Sequence, residues 1–220
     1  MSVKVALFGT SRSGKDYTIR DATEILAEKG MLFTHVSPIS MVHEELEGRK
    51  LRDMEENEKE SLVAKVRSRI ESMLLDEYVF VDEHYCFPET FNGVKIDNGY
   101  YGEKLPYHTE KDSDGRVYET VFQSDWLKYY DMVVYMDIDP TVILDRFHSS
   151  EGEKNNPFAT YEDVRLWQLF EIEHVGDLCR NWGIPLYYIY DHQKTGEELA
   201  TVVTYSLKAG HKTNNTKNEN

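Results

Sequence analysis

The sequence predicts an α/β fold in which a parallel sheet lies between two layers of helices. Short, continuously apolar segments alternate along the chain with segments whose apolar residues recur at helical spacing. Parallel strands are apolar throughout because helices cover both faces of such a sheet. A glycine-rich turn between the first strand and the first helix is the third observation, since ligands bind at the carboxyl ends of parallel strands.

The first elements follow a strand–helix–strand order. Val3–Phe8 is a short apolar run with β-branched residues, which predicts a buried strand. After the glycine-rich turn, helical spacing of apolar residues predicts a helix over Tyr17–Lys29, with Gly30 as its C-terminal cap. Leu32–Val36 is predicted to be the second strand.

Two helices and a third strand come next. The pattern predicts a helix over Ile39–Leu46, directly after Pro38, and a long helix with an apolar stripe over Glu55–Leu75. Tyr78–Val81 is a short apolar strand that runs directly into Asp82.

Residues 86–124 break the alternation and predict an irregular insert. A long irregular stretch in a compact domain usually has a function. Its aromatic residues either stack on a base or sugar, or pack the insert against the rest of the domain, and we favour packing for most of them. They are Phe87, Phe91, Tyr100, Tyr101, Tyr107 and Tyr118.

The alternation then resumes to the end of a single domain, residues 1–208. A capping-box-like start at Thr160-Tyr161-Glu162-Asp163 begins the longest helix. The polar, low-complexity segment 209–220 is predicted to be a disordered tail. The predicted elements are strands at Met132–Met136 and Leu186–Tyr190, and helices at Thr141–Phe147, Tyr161–Trp182 and Gly196–Leu207.

Composition limits the partners. The formal net charge of −15 disfavours a long nucleic-acid surface, because nucleic-acid binding depends on basic residues that neutralise phosphates. No apolar run approaches the roughly 18 residues of a membrane-spanning helix, so no membrane partner is expected. The two cysteines, Cys86 and Cys179, form no disulfide framework, and we expect a reduced, cytoplasmic protein.

The glycine-rich turn has the pattern of a phosphate-binding loop. It matches G-x-x-x-x-G-K-[ST] at every fixed position except the last, between a strand and a helix. The glycines let backbone N–H groups converge on phosphate oxygens, and Lys15 reaches the β- and γ-phosphates. We therefore expect a three-layer P-loop NTPase fold that binds ATP and Mg²⁺. The loop consists of Gly9, Thr10, Ser11, Arg12, Ser13, Gly14, Lys15 and Asp16.

Two carboxylates are the predicted metal ligands. Asp16 stands where Ser or Thr usually binds Mg²⁺, and a carboxylate is also a good Mg²⁺ ligand. Asp82 ends an apolar strand, where a carboxylate holds the metal or orients the acceptor hydroxyl. Glu83 is a second candidate for these roles, and His84 for a substrate-phosphate contact or a proton relay. The alternative is a strand end whose polar residues meet solvent.

Cations must balance the charge that phosphoryl transfer spreads over three oxygens. Arg52 lies between two predicted helices, and Arg146 ends a helix before a polar loop. We expect residues 146–160 to form a lid over the phosphates. Lys15, Asp82 and Arg146 are the predicted catalytic residues, with Arg52, Glu83 and His84 on the substrate. The alternative for the arginines is ordinary surface charge.

From Val3 to about Ile189 the order of elements resembles the adenylate-kinase-like branch of the P-loop kinases. The resemblance is carried by Arg52-Asp53-Met54 before a long helix, by Val81-Asp82-Glu83-His84 after it, and by Asp139-Pro140 leading to Arg146. It implies that Arg52 binds the monophosphate of the acceptor. The longer insert and the single clear lid arginine depart from the family pattern, which puts adenylate itself in doubt.

The leading hypothesis is an ATP-dependent kinase that phosphorylates a nucleoside monophosphate or a similar phosphorylated metabolite. A second hypothesis is a nucleotide-binding switch, but the chain lacks the Asn-Lys-x-Asp motif that reads guanine. A third is a 5′-hydroxyl polynucleotide kinase, which the acidic balance disfavours. The sequence leaves the acceptor, the choice of ATP or GTP and the oligomeric state open.

Overall fold

A computed structural model describes residues 2–49, 54–95, 109–122, 124–149 and 159–215 of the chain. In chain order its strands are β1 (Val3–Phe8), β2 (Thr34–Val36), β3 (Tyr78–Asp82), β4 (Cys86–Pro88), β5 (Thr90–Phe91), β6 (Val94–Lys95), β7 (Thr109–Lys111), β8 (Val117–Thr120), β9 (Met132–Met136) and β10 (Leu186–Ile189). The α-helices are α1 (Lys15–Ala27), α2 (Pro38–Leu46), α3 (Glu56–Met73), α4 (Pro140–His148), α5 (Tyr161–Trp182) and α6 (Thr195–Asn215), and a 3₁₀ helix spans Ser124–Tyr129.

The predicted parallel sheet is confirmed. Five parallel strands lie in the order β10–β9–β1–β3–β2, and Val5 of β1 pairs with Phe80 on one side and Met132 on the other. Every residue of β9 is buried, which requires cover on both faces of the sheet. The chain fills the β3 side of β1 first and the β9 side afterwards. A crevice for ligands is expected at such a reversal, at the carboxyl end of β1.

The helices pack in pairs: α1 on α6, α2 on α3 and α4 on α5. The buried Thr18 hydroxyl donates to Thr195 Oγ1 at 2.7 Å across the first pair. The helix α1 begins at Lys15 rather than at Tyr17, which puts Lys15 in its first turn. The helix α6 runs to Asn215, into the predicted disordered tail. Among the described residues, no helix has both the length and the apolar character needed to cross a membrane.

The insert contains short strands that local sequence patterns did not reveal. The antiparallel sheet β4–β8–β7 and the hairpin β5–β6 lie between β3 and the 3₁₀ helix. Residues 96–108 lie outside the described part of the chain. The small sheet starts at Cys86, four positions after the end of β3, so the insert is joined directly to the edge of the main sheet where the predicted site lies.

Aromatic residues of the insert pack against α5, as the packing interpretation predicted. Tyr118 stacks on Phe170 with ring centroids 4.0 Å apart, and Phe87 and Phe91 both contact the Trp167 ring. These rings therefore fix the insert to the domain. The remaining predicted aromatics, Tyr100, Tyr101 and Tyr107, lie outside the described residues.

Candidate active site

The backbone of the loop after β1 requires its glycines. Gly14 has a φ of 101°, a left-handed conformation that side chains rarely adopt, and a Cβ there would lie 3.1 Å from Arg146 Nη1. A Cβ on Gly9 would lie 3.2 Å from Met136 Cβ and 3.0 Å from Ser13 Oγ. The loop is therefore packed tightly between β9 and α4, with its backbone close to its neighbours.

The loop also holds polar groups that lack partners. The buried hydroxyls of Thr10 and Ser13 form no hydrogen bond with any described residue. Gly14 is the N-cap of α1 and has no side chain to bond the first amides of the helix. Buried donors and open amides at a helix N-terminus suit an anion. These residues fit the phosphates of a nucleotide.

Lys15 lies at the centre of the site. Its side chain is buried, and Nζ donates to the carbonyl oxygens of Gly9 at 2.8 Å and Thr10 at 3.4 Å. The same Nζ lies 3.6 Å from Asp82 Oδ1 and 3.1 Å from His84 Nε2. The ammonium group is thus held between the loop and the carboxyl end of β3.

His84 is buried beside Lys15, and its ring lies tilted against the Phe87 ring. Burial, and then the charge of Lys15, lower the pKa of His84 well below its usual value. The ring is therefore neutral at pH 7, and Nε2 accepts the hydrogen bond from Lys15. The predicted contact of His84 with a substrate phosphate stays a prediction, and the contact in this structure is with the lysine.

Asp82 and Asp16 come together, and His35 of β2 joins them. One ligand atom from each of these three side chains lies within 4.8 Å of the others. Asp82 Oδ1 is buried and accepts no hydrogen bond from a described residue. Burial raises the pKa of Asp82 to about 6, although the charge of Lys15 opposes the rise. Two carboxylates and an imidazole at this spacing fit a divalent cation.

Sequence reasoning missed His35. It is the middle residue of β2, and it comes near Asp16 because β2 takes the edge position beside β3, with His35 paired to Phe80. A histidine within an apolar strand is the only signal in the sequence. It does not identify a site without the strand order.

Glu83 lies in the core. Tyr130 donates a hydrogen bond to Glu83 Oε1 at 2.6 Å, and burial raises the pKa of Glu83 to about 8. The carboxyl group is therefore protonated at pH 7 and bonded to Tyr130. The contact of Glu83 in this structure is with Tyr130, and its predicted contact with a substrate or a metal stays a prediction.

Arg146 supports the loop from α4. Its Nη1 donates to the carbonyl oxygens of Arg12 at 2.8 Å and Ser13 at 2.6 Å. The guanidinium therefore fixes the loop backbone and adds positive charge beside Gly14. Arg52 and most of the predicted lid, residues 150–158, lie outside the described residues.

A further buried carboxyl group, that of Glu171 in α5, was not predicted. It accepts hydrogen bonds from the Cys86 amide at 3.3 Å and the Tyr135 hydroxyl at 3.1 Å. Burial raises the pKa of Glu171 to about 7, although the charge of Lys15 opposes the rise. Its signal in the sequence is an acidic residue on the apolar stripe of α5, one helical turn from Trp167.

Comparison with solved structures places this architecture among the P-loop kinase folds. The shikimate kinase from Acinetobacter baumannii in complex with shikimate superposes with a TM-score of 0.51 at 14% identity, covering 96% of this chain and 95% of that one. The shikimate kinase from Bacteroides thetaiotaomicron gives a TM-score of 0.51 at 11% identity, covering 92% and 98%. At these identities the likeness shows a common fold. No protein-family model and no curated protein matches the chain.

Proposed function

We propose that this protein is a P-loop phosphotransferase that passes the terminal phosphate of ATP to a small-molecule acceptor. The observation that carries the proposal is the position of Lys15, whose Nζ lies between the loop carbonyls and Asp82. The lysine of a P-loop reaches the β- and γ-phosphates, so an ammonium group at this position lies where those phosphates would bind.

The loop residues have separate tasks in this proposal. The amides after Gly14 and the hydroxyls of Thr10 and Ser13 bind phosphate oxygens, because each lacks another partner among the described residues. Arg146 holds the loop carbonyls in place, so the amides of the loop keep their direction while the phosphates bind. Preorganised donors of this kind stabilise developing charge without reorganisation.

The transfer forms a bond between the acceptor oxygen and the γ-phosphorus and breaks the bond from that phosphorus to the oxygen shared with the β-phosphate. When bound, Mg²⁺ neutralises the β- and γ-phosphate oxygens, and Asp16 and Asp82 are the carboxylates that hold it. Where the acceptor is a hydroxyl, its proton passes to the Asp82 carboxylate or to solvent.

Two acceptor classes follow from separate observations. The sequence resemblance favours a phosphorylated metabolite such as a nucleoside monophosphate, bound through Arg52. The fold is also that of a kinase solved in complex with shikimate, which carries hydroxyl and carboxylate groups and no phosphate. For an acceptor of either class, we expect the attacking oxygen to lie at the carboxyl end of β3, beside Asp82.

The test is an ADP-release assay with Mg-ATP and a panel of nucleosides, nucleoside monophosphates, sugar phosphates, hydroxy acids and 5′-hydroxyl oligonucleotides. We expect one class of acceptor to stimulate ADP release. The Lys15→Ala variant should lose about 10³-fold in kcat/KM, because it removes a cation from the phosphates. Lys29→Ala, at an exposed lysine after α1, is the matched control and should keep full activity.

The panel also separates the alternatives. Slow ATP hydrolysis that no acceptor stimulates would favour a nucleotide switch and contradict the proposed acceptor site. Stimulation by the 5′-hydroxyl oligonucleotides alone would identify a polynucleotide kinase.

A further inference from the structure

The metal position next to the loop has an unusual set of side chains. Asp16 replaces the hydroxyl residue of the loop motif, and His35 approaches from β2 with its Nε2 3.8 Å from Asp16 Oδ1. The Asp82 carboxylate, at the end of β3, lies within 4.8 Å of both of them. The imidazole is therefore a candidate ligand outside the common loop motif, and the Asp16 carboxylate stands where that motif specifies a hydroxyl.

The carboxylates of this cluster are not fully compensated by hydrogen bonds and cations among the described residues. The buried Asp82 Oδ1 accepts no hydrogen bond from any residue that the structure describes, although the side chain is only 9% exposed. Lys15 Nζ lies 3.6 Å from this oxygen, and that ammonium already donates to Gly9 and Thr10. A buried carboxylate oxygen facing a second carboxylate is costly unless another cation joins them.

The spacing suits one ion. Oxygen and nitrogen ligands at about 2.1 Å from a metal lie about 3 Å apart when adjacent and about 4.2 Å apart when opposite. The three side chains place their ligand atoms within 4.8 Å of one another, so rotations of the exposed Asp16 and His35 side chains can bring all three atoms to one ion. Asp16 and His35 are exposed, which leaves the other coordination positions open to water and phosphate oxygens.

We propose that Asp16, His35 and Asp82 bind a divalent transition-metal ion, with Mn²⁺ preferred to Mg²⁺, and that His35 is a direct nitrogen ligand. Mg²⁺ takes oxygen ligands and requires near-ideal octahedral geometry, whereas an imidazole favours first-row transition metals. The inference rests on the proposed function for its purpose, because Asp16 belongs to the phosphate loop. Binding of the metal ion by these three side chains, however, does not require a nucleotide.

The test is pulsed EPR of the full-length protein with Mn²⁺ and no nucleotide. We expect echo modulation from a directly bound ¹⁴N nucleus, which changes to the ¹⁵N pattern in protein labelled with [¹⁵N]histidine. His35→Gln should remove the nitrogen modulation and weaken Mn²⁺ binding by about tenfold or more. His43→Gln, at an exposed histidine of α2, is the matched control and should change neither.

Competition with Mg²⁺ measures the selectivity of the site. We expect that displacing half of the bound Mn²⁺ requires a Mg²⁺ concentration about tenfold or more above that of Mn²⁺. Bound Mn²⁺ without nitrogen modulation in the unsubstituted protein would overturn the inference, whether or not His35→Gln folds. Equal affinity for the two ions would overturn it as well. Nitrogen modulation in a protein that phosphorylates no acceptor would support the metal site and contradict the proposed function. Transfer without nitrogen modulation would do the opposite.

Discussion

Asp82 at the end of β3 and Glu171 in α5 are both buried carboxylates, and burial raises the pKa of both. Their surroundings differ. Glu171 accepts hydrogen bonds from Cys86 and Tyr135, one on each carboxylate oxygen. Asp82 Oδ1 accepts none from the described residues.

The residues around the two carboxylates differ in their hydrogen bonding in the same way. Near Asp82, the hydroxyls of Thr10 and Ser13 are also buried and without a partner among the described residues. Near Glu171, Trp167 donates to the Cys86 carbonyl, so the joint between α5 and the insert is closed by hydrogen bonds. The loop region thus keeps buried polar atoms without a partner among the described residues, whereas the polar atoms named at the joint are paired. Substitutions in the first should therefore affect activity, and substitutions in the second should affect stability.

The largest expected effect is that of Asp82→Asn. It should lower kcat/KM in the ADP-release assay by about 10²–10³-fold, because it removes charge from the site of transfer. The free energy of unfolding in urea should change less than it does for Glu171→Ala, since the lost carboxylate was desolvated and Lys15 keeps its hydrogen bonds to the loop carbonyl oxygens. Asp145→Asn, at an exposed aspartate of α4, is the control and should leave both unchanged. A loss of stability with full activity would show that Asp82 stabilises the fold and takes no part in the transfer.

Glu171→Ala should act in the opposite way. It leaves the Cys86 amide and the Tyr135 hydroxyl unpaired in the core, so we expect a loss of about 3 kcal/mol in the free energy of unfolding. The folded variant should keep kcat/KM close to that of the wild type. Glu173→Ala, at an exposed position of the same helix, should cost less than about 0.5 kcal/mol. Loss of activity at wild-type stability would place Glu171 in the site instead.

The pH dependence of the free energy of unfolding tests whether burial raises the pKa of Glu171. Because the folded pKa of Glu171 is raised to about 7 from 4.5, its contribution is fully present below about pH 4.5 and is lost as the pH rises through 7. This part of the free energy of unfolding amounts to about 3 kcal/mol over that range. Glu171→Gln keeps the shape without the charge. Its stability relative to the wild type, from urea unfolding at pH 5, 6, 7 and 8, should rise with pH. A constant difference would refute the assignment.

The smallest expected effect is that of Trp167→Phe. It removes the hydrogen bond to the Cys86 carbonyl and a little packing, which should cost about 1 kcal/mol in urea unfolding. Activity should not change. Trp182→Phe, at an exposed tryptophan at the end of α5, should alter neither quantity. A fall in activity for Trp167→Phe would mean that the joint and the loop are coupled.

Much of the fold was predictable because the signals are local. The strands β1 and β9 and the helix α5 have the predicted bounds, since each is an uninterrupted apolar run or a capped amphipathic segment. The insert was not predictable in this way. Its strands are very short, and β4 pairs with β8 across a long stretch of chain, so no local pattern reports the pairing.

The residues of the candidate site also divide into those that a local sequence signal predicts and those that it does not. Lys15 and Asp16 belong to a contiguous motif, and Asp82 ends a strand, so the sequence alone pointed to them. The contribution of His35 depends on β2 lying beside β3, which is a property of the strand order. Arg146 was identified from its place at the end of a helix, but its bonds to the loop carbonyls depend on the packing of α4 against the loop.

Calorimetric titration of the protein with Mg-ATP tests directly whether the loop after β1 is a nucleotide site. We expect saturable binding to the wild type and to Lys29→Ala, and binding weakened by about 100-fold in Lys15→Ala, because this substitution removes the ammonium group proposed to meet the phosphates. Equal binding by Lys15→Ala and the wild type, or no binding by either, would contradict the assignment of the loop after β1 as a nucleotide site.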